Sequence, residues 1–196
     1  GDFDGDRFEP AREPRLVDEG VALYAAMAWD LGPDEGPVLT GWLDDGPVRS
    51  ATPRPWRGRL CVPRRLRLRP NGDAVDLVQT PVLPADRLGV ATPIAGAATV
   101  EAASFVLRAA GSGSVRIDDE ATGRRLVDIA GDDLDLTVIV DQGCVETFAG
   151  CSVTSTVLDL EPGSVVVRVG GDVEATLRSA SPMPNPQPDG RAATAP

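Results

Sequence analysis

Runs of β-branched and other apolar residues, broken by Gly, Pro, Asp or Asn, dominate the second half of the chain. They fall at residues 115–117, 126–129, 134–140, 152–158, 165–169 and 173–177. Runs of this length predict strands rather than helices. Turn signals separate them at Gly111 and Gly113, Gly123, Gly131 to Asp133, Gly150, Pro162-Gly163 and Gly170-Gly171. Short strands at that spacing indicate an all-β sandwich or barrel. Helical periodicity is nearly absent. The one candidate, residues 21–29, carries Ala at four positions but is short and sits between Gly20 and Gly32.

Aromatic residues divide the chain. Phe3, Phe8, Tyr24, Trp29, Trp42 and Trp56 precede residue 60, and only Phe105 and Phe148 follow it. Such a shift points to two β architectures, with a boundary near Pro81 and Pro84, where proline interrupts strand pairing. The expected organisation is a first unit over 1–82, a linker over 83–94, a sandwich over 95–180 and a disordered tail over 181–196. The tail is rich in Pro and nearly devoid of apolar side chains, so burial cannot offset its ordering entropy.

Composition narrows the chemistry. The 196 residues carry 19 cations, all Arg, against 30 acids, a formal charge of −11. An acidic surface repels phosphate backbones, which argues against a nucleic-acid partner. No run approaches the roughly 18 apolar residues of a membrane helix, so no membrane partner is expected either. The chain contains no His, which excludes Ser-His-Asp and Cys-His catalysis and removes the commonest zinc ligand. Cys61, Cys144 and Cys151 show no metal-ligand spacing and read as free, half-buried small residues, although Cys144 and Cys151 flank a hairpin signal and are candidates to pair. The acidic clusters Asp118-Asp119-Glu120 and Asp132-Asp133-Asp135 read as solvated turns rather than a calcium site. No metal or cofactor is implied.

Six segments carry a more specific message. Gly1-Asp2-Phe3-Asp4-Gly5 with Phe8 comes first, then Asp18-Glu19-Gly20 with Leu23-Tyr24-Ala25-Ala26 and Trp29. Gly41-Trp42-Leu43 follows, and after it Pro55-Trp56-Arg57-Gly58 with Val62-Pro63-Arg64 and Leu66. Leu77-Val78-Gln79 with Pro81 is next, and last come Val140-Asp141, Val145-Glu146-Thr147-Phe148 and Thr154-Ser155. In order and spacing these resemble glycoside hydrolase family 32, which holds invertases, inulinases and levanases.

The resemblance implies a fold: the final blade or blades of a five-bladed β-propeller, followed by a β-sandwich. It also implies a chemistry. The family cleaves fructosyl bonds with retention, which needs two carboxyl groups about 5 Å apart. Its nucleophile, its transition-state Asp and its acid/base Glu belong to segments that do not occur here, so no catalytic residue is assigned. Because Gly1 opens inside a motif, earlier propeller blades are expected upstream. The partner would be a fructose-containing oligo- or polysaccharide, met through the parent protein.

What remains would be part of the funnel wall that meets the sugar. Tyr24, Asp18, Trp42 and Trp56 are the candidate substrate-binding residues, with core packing between blades or loop ordering as the alternative for each. Departures from the family pattern stand at Ala22, Gly46 and Arg65, where an acid, an aromatic and a Glu are usual. The competing functional class is a non-catalytic carbohydrate-binding or structural sandwich.

Overall fold

The computed structural model describes residues 1–11, 13–44, 58–72, 74–101, 104–158 and 163–181. The expected disordered tail, all but Ser181, lies outside them, as do Trp56 and Gly46.

The chain is all-β. Strands β1 (Asp2–Phe3) and β2 (Phe8–Glu9) form a short hairpin. A five-stranded sheet follows from β3 (Leu23–Asp30), β4 (Pro37–Leu43), β5 (Arg59–Leu60), β6 (Arg64–Asn71) and β7 (Ala74–Pro81). Its order is β3-β4-β6-β7, with β5 paired to β4, and all pairings are antiparallel. The Ala-rich stretch that was the one helix candidate is therefore a strand. Its β-sheet partner β4, with Leu39 and Leu43 buried, overrides the weak helix preference of its alanines.

After a single 3₁₀ turn (Ala85–Arg87) the remaining strands build the second sheet. They are β8 (Thr92–Ile94), β9 (Ala97–Val100), β10 (Ser104–Asp119), β11 (Arg125–Asp141), β12 (Cys144–Ala149), β13 (Ser152–Val157) and β14 (Val165–Ser179). The order is β13-β12-β11-β10-β14-β8, with β9 also on β14. The change of sheet falls between Pro81, where β7 ends, and Thr92, where β8 begins. Residues 92–94, expected within the linker, are already strand.

Three turn signals prove to be something else. Strands β10, β11 and β14 run unbroken past Gly111/Gly113, Gly131–Asp133 and Gly170/Gly171. Gly131 pairs with Gly113, which pairs with Gly171, so three glycines stand in one row across three strands. At Gly113 (φ +147) an added Cβ would lie 2.0 Å from the Gly170 carbonyl oxygen, and at Gly171 (φ +76) 2.6 Å from that of Ser112. The row is a crease along which the sheet doubles over. Phe105 and Leu107 on one side of it, and Val115 and Ile117 on the other, enter the same buried cluster. At the crease β11 has one residue more than β10: Gly111 faces Leu134 and Gly113 faces Gly131. That bulge switches the inward residues of β11 from Val127 and Ile129 to Leu134, Leu136, Val138 and Val140, and so keeps the apolar side inward.

Outside this core, burial lies between the two sheets. Ala22, Leu39, Leu43 and Cys61 of the small sheet pack with Cys144 and Val157 of the large one. Val106, Ile139, Phe148 and Val153 cover the outer face of the large sheet, with Val62, Leu83 and Leu88 against them. The three cysteines are unpaired, and burial pushes the Cys61 and Cys144 thiols up, so both stay protonated and unreactive at neutral pH.

Candidate functional site

Tyr24 and Trp42 face one another across β3 and β4, and their rings meet edge to face with centroids 6.2 Å apart and planes at 66°. Tyr24 is 65% exposed, while Trp42 is half-buried. A Cβ at Gly58 would fall 1.6 Å from the indole nitrogen of Trp42, so the absence of a side chain at Gly58 (φ +68) makes the room for the indole. Leu60 on β5 continues the row beyond Trp42 and is exposed. Further along β3, Met27 and Trp29 are exposed as well. A register shift between Tyr24 and Met27, with Ala25 at φ 48, bulges β3 just after Tyr24. The strand is also an edge, since among the described residues it pairs only with β4. An exposed phenol beside a half-buried indole offers a stacking surface with polar tips, which suits the mixed faces of a sugar ring.

Asp18, grouped with Tyr24 from the sequence, lies elsewhere. It is 5% exposed and belongs to a buried polar network centred on Arg64, itself fully buried. Arg64 Nη2 lies 2.8 Å from Asp18 Oδ2, 2.8 Å from Glu146 Oε2 and 2.7 Å from Ser155 Oγ. Its Nη1 donates to Gln79 Oε1 at 3.3 Å, and its guanidinium sits 5.4 Å from the centre of the Phe148 ring. The backbone N–H of Ser155 donates to Asp18 Oδ1 at 2.9 Å, its hydroxyl to Oδ2 at 2.7 Å, and the N–H of Gly20 to Oδ1 at 2.8 Å. With both oxygens engaged by protein, Asp18 has no lone pair free for a sugar hydroxyl. Its role is the other one weighed for it, ordering the loop that precedes Tyr24.

The electrostatics suit a clamp. Burial works against the Arg64 charge, but Glu146, with Cys61 and Asp18 adding to it, outweighs burial and holds the Arg64 pKa above its ordinary value. Burial pushes the Glu146 carboxyl above its ordinary value, against the pull of the Val62 N–H (2.7 Å) and of Arg64. Ala22, where the family usually carries an acid, is buried in the apolar cluster against Cys144 and Val157, so its methyl faces the sandwich. Arg65, where a Glu is usual, donates to the Glu35 backbone oxygen at 2.6 Å and to its carboxylate at 3.2 Å.

Sequence reasoning passed over Arg64, Glu146, Ser155 and Gln79 as functional residues. A signal was present: Pro63-Arg64, Val145-Glu146, Thr154-Ser155 and Leu77-Val78-Gln79 all belong to the segments that carry the family resemblance. Asp4 accepts hydrogen bonds from the Arg7 and Asp6 N–H groups, and these hold its carboxyl below the usual value, as befits a turn cap. The acidic stretch 118–120 closes a turn in which Asp119 accepts from Ala121 and Thr122, and Asp118 pairs with Arg125 and Arg168. Asp132, Asp133 and Asp135 lie exposed within β11, at the crease, and not in a turn between strands.

These features meet their counterparts in known proteins. The model of the glycosyl hydrolases family 32 N-terminal domain matches residues 1–81. A levanase from Bacillus subtilis is 36% identical over 88 residues, which cover 42% of this chain and 13% of the levanase. Among solved structures, exo-inulinase from Aspergillus awamori superposes with a TM-score of 0.73 at 19% identity, over 92% of this chain and 49% of that one. The β-fructofuranosidase from Schwanniomyces occidentalis gives 0.66 at 16% identity, over 91% of this chain and 52% of that one.

The first 81 residues thus match the N-terminal domain of glycoside hydrolase family 32, and part of the chain is similar in sequence to a levanase. The chain's fold is the family's propeller end followed by the β-sandwich, so the five-stranded sheet is a blade and the creased sheet is the sandwich. The chain spans about half the length of the solved enzymes.

Proposed function

We propose that this chain is the C-terminal part of a retaining β-fructosidase of the levanase, inulinase or invertase type. In this reading residues 1–82 close the propeller, 83–94 connect, and 95–180 brace it as the sandwich. The observation that carries the reading is exposed Tyr24 on the open edge strand β3, set edge to face against half-buried Trp42 of β4. The pair supplies a wall for a fructosyl unit, and Tyr24 is the residue most exposed to it.

The chemistry itself comes from carboxylates on earlier blades. Retention requires two carboxyl groups about 5 Å apart beside the sugar. Asp18 and Glu146, which share Arg64, are enclosed and held by it, so neither attacks nor protonates a substrate. The 196-residue chain alone is then expected to bind fructo-oligosaccharides weakly and to hydrolyse none. Joined to upstream blades that carry a nucleophile and an acid, it should release fructose from levan, inulin or sucrose.

The test has two arms. Titration of the chain with fructo-oligosaccharides, followed by tryptophan fluorescence, should saturate, and Tyr24→Ala should weaken it. Incubation with the same sugars should release no fructose. Hydrolysis by the chain alone would overturn the assignment of catalysis to other blades. A sandwich acting as a carbohydrate-binding module in its own right draws little support, because Phe105 and Phe148 are both buried and offer no stacking platform.

A further inference from the structure

The loop that leads into Tyr24 is held by the sandwich rather than by the blade alone. Within residues 17–22 the Asp18 carboxylate, the Glu19 N–H and the Glu19 carboxylate reach across, and Val17 joins the same network through the blade. The Gln79 side-chain amide donates to the Val17 carbonyl, and Arg64 ties Gln79 in turn to Glu146 and Ser155. Asp18 is gripped by the N–H and hydroxyl of Ser155. The Glu19 N–H donates to the Val153 carbonyl at 2.7 Å, and its carboxylate accepts from the Ser152 hydroxyl at 2.7 Å. At Gly20 a Cβ would lie 2.2 Å from the Ser155 carbonyl oxygen and 2.4 Å from its nitrogen, so the two backbones touch where glycine alone fits. Ala22 then enters the apolar cluster with Cys144 and Val157. Only Leu23 separates this docked segment from Tyr24.

We infer that Ser155, with Glu146 acting through Arg64, is a positioning residue for the Tyr24 wall: the sandwich sets the place of the sugar-facing tyrosine by clamping residues 17–22 to β13. Ser155 touches no sugar; it acts through Asp18 and the short tether from Gly20 to Tyr24. The functional half of this inference rests on the reading of Tyr24 as sugar-facing. The geometric half, that β13 sets the position of Tyr24, stands apart from it.

The chain carries one tyrosine, which makes the test direct. Selective ¹³C labelling of tyrosine gives a single ring signal, that of Tyr24. In Ser155→Ala this signal should shift or broaden, and amides of residues 18–28 should exchange about tenfold faster, while those of β10 and β14 keep their protection. Asp118→Asn, on the sandwich surface, should leave the Tyr24 signal unmoved. At half-buried Ser152, Ser152→Ala removes the hydrogen bond to Glu19 and should shift the same signal less, which keeps the test open should Ser155→Ala not fold. An unchanged Tyr24 signal in both serine variants, or an equal shift in Asp118→Asn, overturns the inference. Parallel titration with fructo-oligosaccharides separates the two ideas. Failure of the unmodified chain to bind sinks the proposed function and leaves the serine-dependent shift to be judged by itself, whereas binding without that shift sinks the positioning role alone.

Discussion

The blade and the sandwich solve burial in opposite ways. The sandwich encloses its own core, with Phe105, Leu107, Val115, Ile117, Val138 and Val140 sealed between two layers of one folded sheet. The blade, among the described residues, has no such centre. Its buried apolar residues, Ala22, Leu39, Leu43 and Cys61, are completed by Cys144 and Val157 of the sandwich, while Tyr24, Met27 and Trp29 stay exposed on β3. Even its buried charge is shared, since Arg64 of β6 is neutralised partly by Glu146 of β12. The sandwich has a sealed core of its own and the blade does not, which makes the stability of the proposed sugar-facing wall a property of the interface.

The largest expected effect comes from cutting that interface at its charge. Arg64→Ala leaves Asp18 and Glu146 buried without their counter-ion and should cost about 3–5 kcal/mol in urea unfolding. Hydrogen exchange should show β6 and β7 losing protection while β10 and β11 retain theirs. Uniform loss across both sheets would break the distinction between blade and sandwich. Next come two deletions of similar chemistry in the two regions. Leu107→Ala and Leu43→Ala should each cost about 2–5 kcal/mol. The first should weaken the whole chain, because the blade depends on the sandwich, and the second the blade alone. If Leu43→Ala unfolds the sandwich too, the dependence runs both ways.

A smaller effect probes the aromatic row. Gly58→Ala forces a methyl into the Trp42 indole at a backbone conformation that L-residues disfavour, at a cost of about 1–3 kcal/mol. Its signature should be a changed tryptophan emission with the sandwich amides unaltered.

The smallest effect is electrostatic and has opposite signs in the two regions. Burial raises the folded pKa of Glu146 above its unfolded value of about 4.5, so its contribution to stability is fully present below that value and is lost as pH rises through the folded pKa. Asp118, on the sandwich surface, is held below its ordinary value by the hydrogen bond from Arg125, so its contribution is present above about 3.8 and is lost as pH falls through its folded pKa. Urea midpoints for Glu146→Gln and Asp118→Asn between about pH 3 and pH 8 should therefore diverge from the parent in opposite directions. Parallel slopes would mean that burial does not govern Glu146.

Much of this was legible beforehand, and the failures share a cause. Strand content, the change of sheet after Pro81 and the family segments could all be read from local pattern. Asp18 and Tyr24, six residues apart in one motif, read alike as wall residues. Nothing local reveals that Asp18 turns away, because its partner Ser155 is 137 positions further on. The glycine pairs were ambiguous for a related reason. A residue with φ > 0 serves a chain reversal and a bulge equally well, and only the row Gly131, Gly113, Gly171 tells them apart. Cys144 and Cys151 were candidate partners across a hairpin signal; Cys144 instead opens β12 in the interface cluster, and Cys151 sits beyond the strand's far end, where Arg69 donates to its sulfur.

The crease has a consequence for how such a module can be cut and recombined. Both layers of the sandwich are drawn from the same three strands, β10, β11 and β14, so no backbone position divides one layer from the other. A breakpoint placed inside residues 104–179 would sever both layers at once. The sandwich can therefore be inherited, grafted or lost only whole, together with the β12–β13 edge that grips the blade.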